Sequence, residues 1–400
     1  MSLQFCSMYQ QTEALVSSIS HLECSRCGQP YSNRTLQTFA TCCNKPLIVK
    51  YNLDSSFQPT DLLSRPTSMW RYREVLPIEN ERNIVSLGEG MTPILDLQKS
   101  AISYGVSSLK VKDESLNPTG SFKARGLSMA ISRAKELGVT SCVIPTAGNA
   151  GGAMSAYCAS ADIQATVIMP RHTPKVFQDE CRYYGAELIL IDGLINQCGV
   201  IAAEIEKKHG AFNISTLKEP YRLEGKKTMG YELAEQLNWN LPDVILYPTG
   251  GGTGLLGIWK AFHEMIELGW LAQDVKLPRM IVVQAENCSP VVDAWQGFRK
   301  QPSEYKESLA NGLAVPVAFG EDMILEVIKD SGGDCVTIAE AEMVSGVKEL
   351  ARMEGLLMAP EGAALIKALP KLKAKGIISE EDSVLMINTG SGYKYLENID

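Results

Sequence analysis

The sequence has no surplus of positive charge: 38 Lys and Arg stand against 46 Asp and Glu, and the 400 residues carry a formal charge of −8. Binding nucleic-acid phosphates needs a basic surplus or a clear basic stripe, so a nucleic-acid partner is not expected. No stretch approaches the roughly 18 unbroken apolar residues of a membrane span, and no membrane partner is expected. The opening "MSLQFCSMYQQTEALVSSIS" lacks the basic start and sustained apolar core of a leader peptide. Histidines are few, and His21, His172, His209 and His263 fall in no motif. His172, in "MPRHTP", reads as a solvated loop residue. Aromatics make up only 7%, and Trp259 and Trp295 read as core residues. There is no internal repeat and no low-complexity run. The eleven cysteines are an odd count scattered through a long chain, which fits reduced thiols and a cytoplasmic location better than a disulfide framework.

What is present is ordinary globular composition, 45% apolar and 21% charged, in a chain long enough for two or three lobes. After a Cys- and Ser-dense start, strand-like and helical patterns alternate. "SLKVKDE" reads as a strand and "SFKARGLSMAISRAKELG" as a helix closed by Gly138. "SCVIPT", "QATVIMP" and "AELILID" are further short strands, separated by helical segments, and "DVILYPT", "RMIVVQAE" and "SVLMINTG" follow later. Such alternation predicts an α/β fold with parallel-type sheets covered by helices.

Three strands end in small or hydroxyl residues before a helix: Thr146-Ala-Gly-Asn149, Thr249-Gly-Gly-Gly-Thr-Gly254 and Thr389-Gly-Ser-Gly392. Ligands of open α/β sheets sit at such carboxyl ends. The run Gly250, Gly251, Gly252, Thr253, Gly254 offers successive backbone N–H groups and a helix N-terminus, which together cradle an anion. It is not a Walker A loop, because no Gly-Lys-Ser/Thr closes it. It does satisfy G-x-G-x-x-G through Gly252, Gly254 and Gly257, so taken alone it admits a nicotinamide dinucleotide as well as a monophosphate. Lys123, in "NPTGSFKARG", falls in the first turn of a helix, where the macrodipole disfavours a cation. Near an anion-binding loop and shielded from water, its amine would have a lowered pKa and could act as a nucleophile.

"NPTGSFKARG", "TAGNAGG", "PTGGGTGLLG" and "NTGSGYK" occur in an order that resembles the fold-type II pyridoxal-phosphate enzymes, and "LGEGMTPI" and "PYRLEGKKT" look most like the threonine synthases among them. The resemblance covers residues 20 to 396 and implies a two-lobed fold like that of the tryptophan synthase β subunit. It divides the chain into a zinc-ribbon-like segment (20–55), a large cofactor-binding domain (61–138 and 220–400) and a small mobile domain (139–219). It also implies a homodimer acting on a small amino-acid substrate. Lys123, after Phe122, would carry pyridoxal 5′-phosphate. Asn149 would bond the ring hydroxyl, Gly250 to Gly254 would hold the phosphate, and Thr389 would face the pyridine nitrogen. Thr146, Ala147 and Gly148 would bind the substrate carboxylate.

The implied reaction converts O-phospho-L-homoserine and water to L-threonine and phosphate, with Lys123 shuttling protons. The substrate's own phosphate calls for extra cations, for which "KEPYRLEGKKT" offers Arg222 and Lys226. Lys226 and Lys227 read equally well as a solvated helix face. Three residues depart from the family pattern: Ala124 where Asp is common, Glu219 where Asn is common and Lys226 where Gln is common. The alternatives are therefore a threonine or serine dehydratase, a β-replacement enzyme such as a cysteate synthase, and a non-catalytic paralogue that binds the cofactor. Cys24-Ser-Arg-Cys27 makes one zinc knuckle. The second has adjacent Cys42 and Cys43, so Cys24, Cys27, Cys42 and Cys43 stand as candidate zinc ligands alongside a metal-free β-cap.

Overall fold

A computed structural model describes residues 17–193 and 195–399. Most of the opening segment read for a leader peptide lies outside the described residues. The chain begins with an antiparallel sheet of β1 (Ile19–Cys24), β2 (Pro30–Tyr31) and β3 (Leu47–Tyr51), with β1 in the middle. Its core is small, built on Leu22, Ala40, Leu47 and Val49. Tyr51 fastens it to the rest of the protein by donating to the Glu224 carboxylate at 2.6 Å.

A second sheet starts with β4 (Ile94–Asp96), α1 (Gln98–Tyr104) and β5 (Ser108–Asp113), and α2 (Lys123–Glu136) leads away from it. The chain then builds a separate four-stranded sheet before returning. That sheet contains β6 (Ser141–Pro145), β7 (Gln164–Pro170), β8 (Glu187–Ile191) and β9 (Phe212–Asn213). They alternate with α3 (Asn149–Ser160), α4 (Lys175–Tyr183) and α5 (Ile195–His209), and every pairing is parallel. After α6 (Tyr221–Gln236) and β10 (Val244–Pro248) come α7 (Thr253–Glu267), β11 (Arg279–Ala285), α8 (Pro290–Trp295) and α9 (Glu321–Asp330). β12 (Asp334–Ile338), α10 (Glu340–Glu354), α11 (Pro360–Ala374) and β13 (Ser383–Asn388) complete the second sheet.

Its strand order is β12-β11-β10-β13-β5-β4, parallel throughout except for the antiparallel edge strand β4. β10 is apolar along its length and buried at every residue, as a parallel strand covered on both faces should be. The functional consequence lies in the strand order. β5, β13 and β10 are parallel neighbours, so the loops after them open at the same carboxyl end of the sheet, where the loop after β6 meets them. Trp295, expected in the core, is instead 38% exposed, because it ends α8 beyond that helix's buried residues Pro290 to Asp293, and its indole N–H donates to Asp334.

Candidate active site

Lys123 opens α2, and two small residues set where that helix sits. A Cβ on Gly126 would lie 2.9 Å from the Arg222 carbonyl, and one on Gly225 would overlap the Arg125 carbonyl. α2 and α6 therefore touch backbone to backbone, which brings Lys123 and Arg222 to the same end. The stretch before Lys123 is stitched to the loop after β13: Phe122 N–H donates to Thr389 O at 3.0 Å, and Ser121 bridges Gly390. Phe122, Lys123, the Thr146–Asn149 turn, Arg222, Gly250–Gly254 and Thr389 all line one cavity. All the candidate cofactor residues and four of the five candidate substrate residues thus come together. The exception is Lys226.

The glycine loop owes its shape to close approach. A side chain on Gly250 would overlap the Gly312 carbonyl, one on Gly252 would overlap Ile324, and one on Gly254 would overlap the Tyr247 hydroxyl. Gly252 also takes φ +81°, a region that favours glycine. Thr253 then starts the 15-residue α7, so free backbone N–H groups and the positive end of the helix dipole meet at this loop.

The electrostatics separate the cations. The Lys123 amine has no hydrogen-bond partner among the described residues and lies 4.6 Å from the Phe122 ring centre. Burial, and then the nearby Arg222 guanidinium, lower it to about 7, against the opposing pull of the Glu361 carboxylate. Arg222 is fully buried and donates from Nη1 to Ile214 O at 2.8 Å, while its Nε has no partner.

Lys226, expected beside a substrate phosphate, does not line the cavity. Its ammonium is buried behind Phe122, donating to the Phe122 carbonyl at 2.7 Å and lying 4.3 Å from its ring centre. Lys227 is no solvated face either. It is buried in an ion network with Glu224 at 2.6 Å and Glu264 at 2.9 Å. Glu219 stays off the cavity wall as well. One carboxylate oxygen accepts from Tyr221 N–H at 2.7 Å and Arg222 N–H at 3.0 Å, capping α6, and burial pushes its carboxyl up to about 7. Ala124 is wholly buried in the main apolar core, so the aspartate common there would be a buried charge.

Residues 85–390 match the model of a family described as pyridoxal-phosphate dependent enzyme. The chain belongs to that family. This pyridoxal-phosphate-dependent enzyme is 32% identical to a threonine synthase of Methanocaldococcus jannaschii, an alignment covering 93% of the chain and 92% of the relative. It is also 32% identical to a threonine synthase of Methanosarcina acetivorans, over 92% of the chain and 91% of the relative. Among solved structures it is similar to diaminopropionate ammonia lyase from Escherichia coli, with a TM-score of 0.67 at 19% identity, covering 80% of this chain and 90% of that one. That likeness shows the fold, and the expected α/β architecture, parallel-type sheets with helices, is the one found.

The site of this pyridoxal-phosphate-dependent enzyme fits its cofactor. A glycine loop packed too closely for side chains, opening a helix at its N-terminus, suits a phosphate, and an unpartnered amine lowered to about 7 suits capture of an aldehyde. Several wall residues escaped the sequence reading: Thr216, Tyr247, Gly312, Glu361 and Tyr395. None lies within a recognised motif, and only the tertiary fold brings them here. Glu361 Oε1 accepts from Gly312 N–H and the Tyr395 hydroxyl, both at 2.9 Å, and Oε2 has no partner. His172, read as a solvated loop residue, is half-exposed and lies 3.1 Å from Glu307. The sulfur atoms of Cys24, Cys27, Cys42 and Cys43 all lie within 4.8 Å of one another. No helix among the described residues is long and apolar enough to cross a membrane.

Proposed function

We propose that the enzyme is a threonine synthase, converting O-phospho-L-homoserine and water to L-threonine and phosphate. The observation that carries this reading is the match, at 32% identity and nearly full length, to curated threonine synthases. The site supports it with a second anion-binding group beyond the glycine cradle. Arg222 lines the wall, and its guanidinium would meet a substrate phosphate there. Pyridoxal phosphate, when bound, supplies the electron sink that makes the proton next to the substrate amine removable.

The residues of the chain do the rest. Lys123 holds the cofactor, and its amine, once free, takes the proton from Cα and then one from Cβ, and returns them. Gly250 to Gly254 with Thr253 hold the cofactor phosphate, Asn149 the ring hydroxyl and Thr389 the ring nitrogen. Thr146, Ala147 and Gly148 orient the substrate carboxylate, and Arg222 the leaving phosphate. In this reading residues 139–219 form a small domain that moves against a large one (61–138 and 220–400). The active form is a cytoplasmic homodimer, which sedimentation of the purified protein tests.

Assaying the holoenzyme with O-phospho-L-homoserine, phosphoserine, serine and threonine tests the main reading. Phosphate and threonine should form in equal amounts from the first. Oxo-acid from serine or threonine with no phosphate from phosphohomoserine would instead make it a dehydratase.

We also propose that Cys24, Cys27, Cys42 and Cys43 hold one structural zinc ion in the 20–55 segment. Tetrahedral zinc–thiolate bonds of about 2.3 Å need sulfurs clustered as closely as these. One equivalent of zinc per chain by elemental analysis, lost in Cys27→Ser, is the expected result.

A further inference from the structure

Beside the cavity lies a partly buried cation that the mechanism above does not use. Lys394 follows β13, in the "NTGSGYK" motif, and its side chain is only 14% exposed. Its ammonium reaches four acceptors from three segments. These are Thr119 O at 2.7 Å, Asn149 Oδ1 at 3.1 Å, and the two carboxylate oxygens of Glu180 on α4 at 2.9 and 2.8 Å. The ion pair joins the four-stranded-sheet segment, which carries Glu180 and Asn149, to the end of the six-stranded sheet. The other ion pair in the described residues that crosses the same boundary, His172 with Glu307, is half-exposed.

An ammonium donates and never accepts. The Asn149 atom facing Lys394 must therefore be the carbonyl oxygen, and the amide nitrogen must point the other way. On that side lies Gly390, where an added Cβ would come within 3.4 Å of Asn149 Nδ2, and Gly390 lines the cavity. A free asparagine amide can flip. This one cannot without setting its NH2 against a cation. Surrounding residues leave room for the cation and its anion: a Cβ on Gly152 would overlap the Glu180 carboxylate, and one on Gly120 would touch Lys394 Cε. Phe177 covers the ammonium at 5.6 Å. Ion pairs are weak evidence of stability, whether exposed or buried, so four acceptors converging on this partly buried ammonium are better explained by placement than by stability.

We propose that Lys394 is a positioning residue, which fixes the Asn149 amide with its NH2 toward the cofactor and latches α4 to the loop after β13. The inference rests on the reading of Asn149 as a cofactor contact. The test measures the cofactor dissociation constant, the absorbance band of the bound cofactor, kcat and KM, with thermal unfolding of the cofactor-free protein alongside. Lys394→Met should bind cofactor about 10- to 100-fold more weakly, the worth of one charge-assisted hydrogen bond, and should shift the band. Lys394→Arg should recover much of the loss. Glu180→Gln should speed hydrogen exchange in α4 with a smaller loss of cofactor.

If Lys394→Met lowers only the unfolding temperature, leaving affinity and band unchanged, the latch is merely structural and the proposal is overturned. Should that variant fail to fold, Lys394→Gln decides alone: several-fold weaker binding supports the proposal, and unchanged binding overturns it. If Asn149→Ala binds cofactor as tightly as the unaltered enzyme, both this inference and the assignment of Asn149 fall. A loss in Asn149→Ala without one in the Lys394 variants overturns this inference alone.

Discussion

Two cations two residues apart in one stretch of chain have opposite surroundings. Arg125 lies under the cavity in a closed network: its guanidinium meets Glu114 at 2.5 Å and Glu232 at 2.5 Å, and Lys112 meets Glu232 at 2.7 Å. Thr92 and Asn117 complete the Glu114 carboxylate. Burial works against the Glu232 charge, but Arg125 and Lys112 outweigh it and hold that carboxyl down to about 2. Lys123, in the same helix turn, has no hydrogen-bond partner among the described residues. The lesson is that burial of a charge does not by itself mark function. In the network, every charge is answered within the protein; at the cavity wall, Lys123, Arg222 Nε and Glu361 Oε2 have no hydrogen-bond partner among the described residues.

The sharpest way to break this comparison is to replace both cations with methionine. Lys123→Met should lose about a thousandfold or more of the turnover, the scale of a missing proton-transfer group, while unfolding at pH 7 no more easily than the unaltered enzyme. Arg125→Met should do the reverse. It leaves the buried Glu114 carboxylate with no cation and Glu232 with Lys112 alone, and should cost about 3–5 kcal/mol of stability, read by urea unfolding of the cofactor-free protein. Equal loss of stability in the two variants would show that Lys123 is as structural as Arg125.

A smaller effect is expected at the cradle. Gly254→Ala places a methyl group against the Tyr247 hydroxyl, an overpacking that should cost about 1–3 kcal/mol. Because the clash is at the loop, it should appear chiefly as weaker cofactor binding. Tyr247→Phe should restore part of it. If the alanine variant binds cofactor normally, close approach is not what the glycine is for.

The same contrast explains what could be read from the sequence. Lys123, Asn149, the glycine loop and Thr389 sit in short motifs whose chemistry is local, and each lines the cavity. "PYRLEGKKT" misled because lysines spaced along a helix look like a wet face. α6 is buried along nearly all its length, so Lys226 and Lys227 answer to Phe122, Glu224 and Glu264, partners up to 104 residues away. Glu361 and Tyr395 were missed for the same reason: a glutamate at a helix start and a tyrosine near the end of the chain carry no local signal. Strand alternation was legible, but not the antiparallel edge of β4, which three residues set by pairing with β5. Long-range pairing, of charges as of strands, is what periodicity does not encode.

The finest test of the comparison is pH, applied to the cofactor-free protein. The Lys123 amine is lowered from an ordinary 10.5 to about 7, by burial first and Arg222 second. Competitive labelling with acetic anhydride, read at Lys123 by peptide mass spectrometry, should rise about tenfold per pH unit below 7 and level off near 8, since only the neutral amine reacts. The linked stability has a fixed sign. Between about 7 and 10.5 the unfolded chain holds a proton here that the folded chain has shed, so this residue adds stability as pH rises across that window and nothing further above it. Urea unfolding should therefore show the unaltered protein gaining on Lys123→Met from pH 7 to pH 10. A labelling profile that climbs to pH 10 without levelling would mean that Lys123 has an ordinary lysine's pKa, and that cavity water or an anion answers its charge as fully as Glu114 and Glu232 answer Arg125.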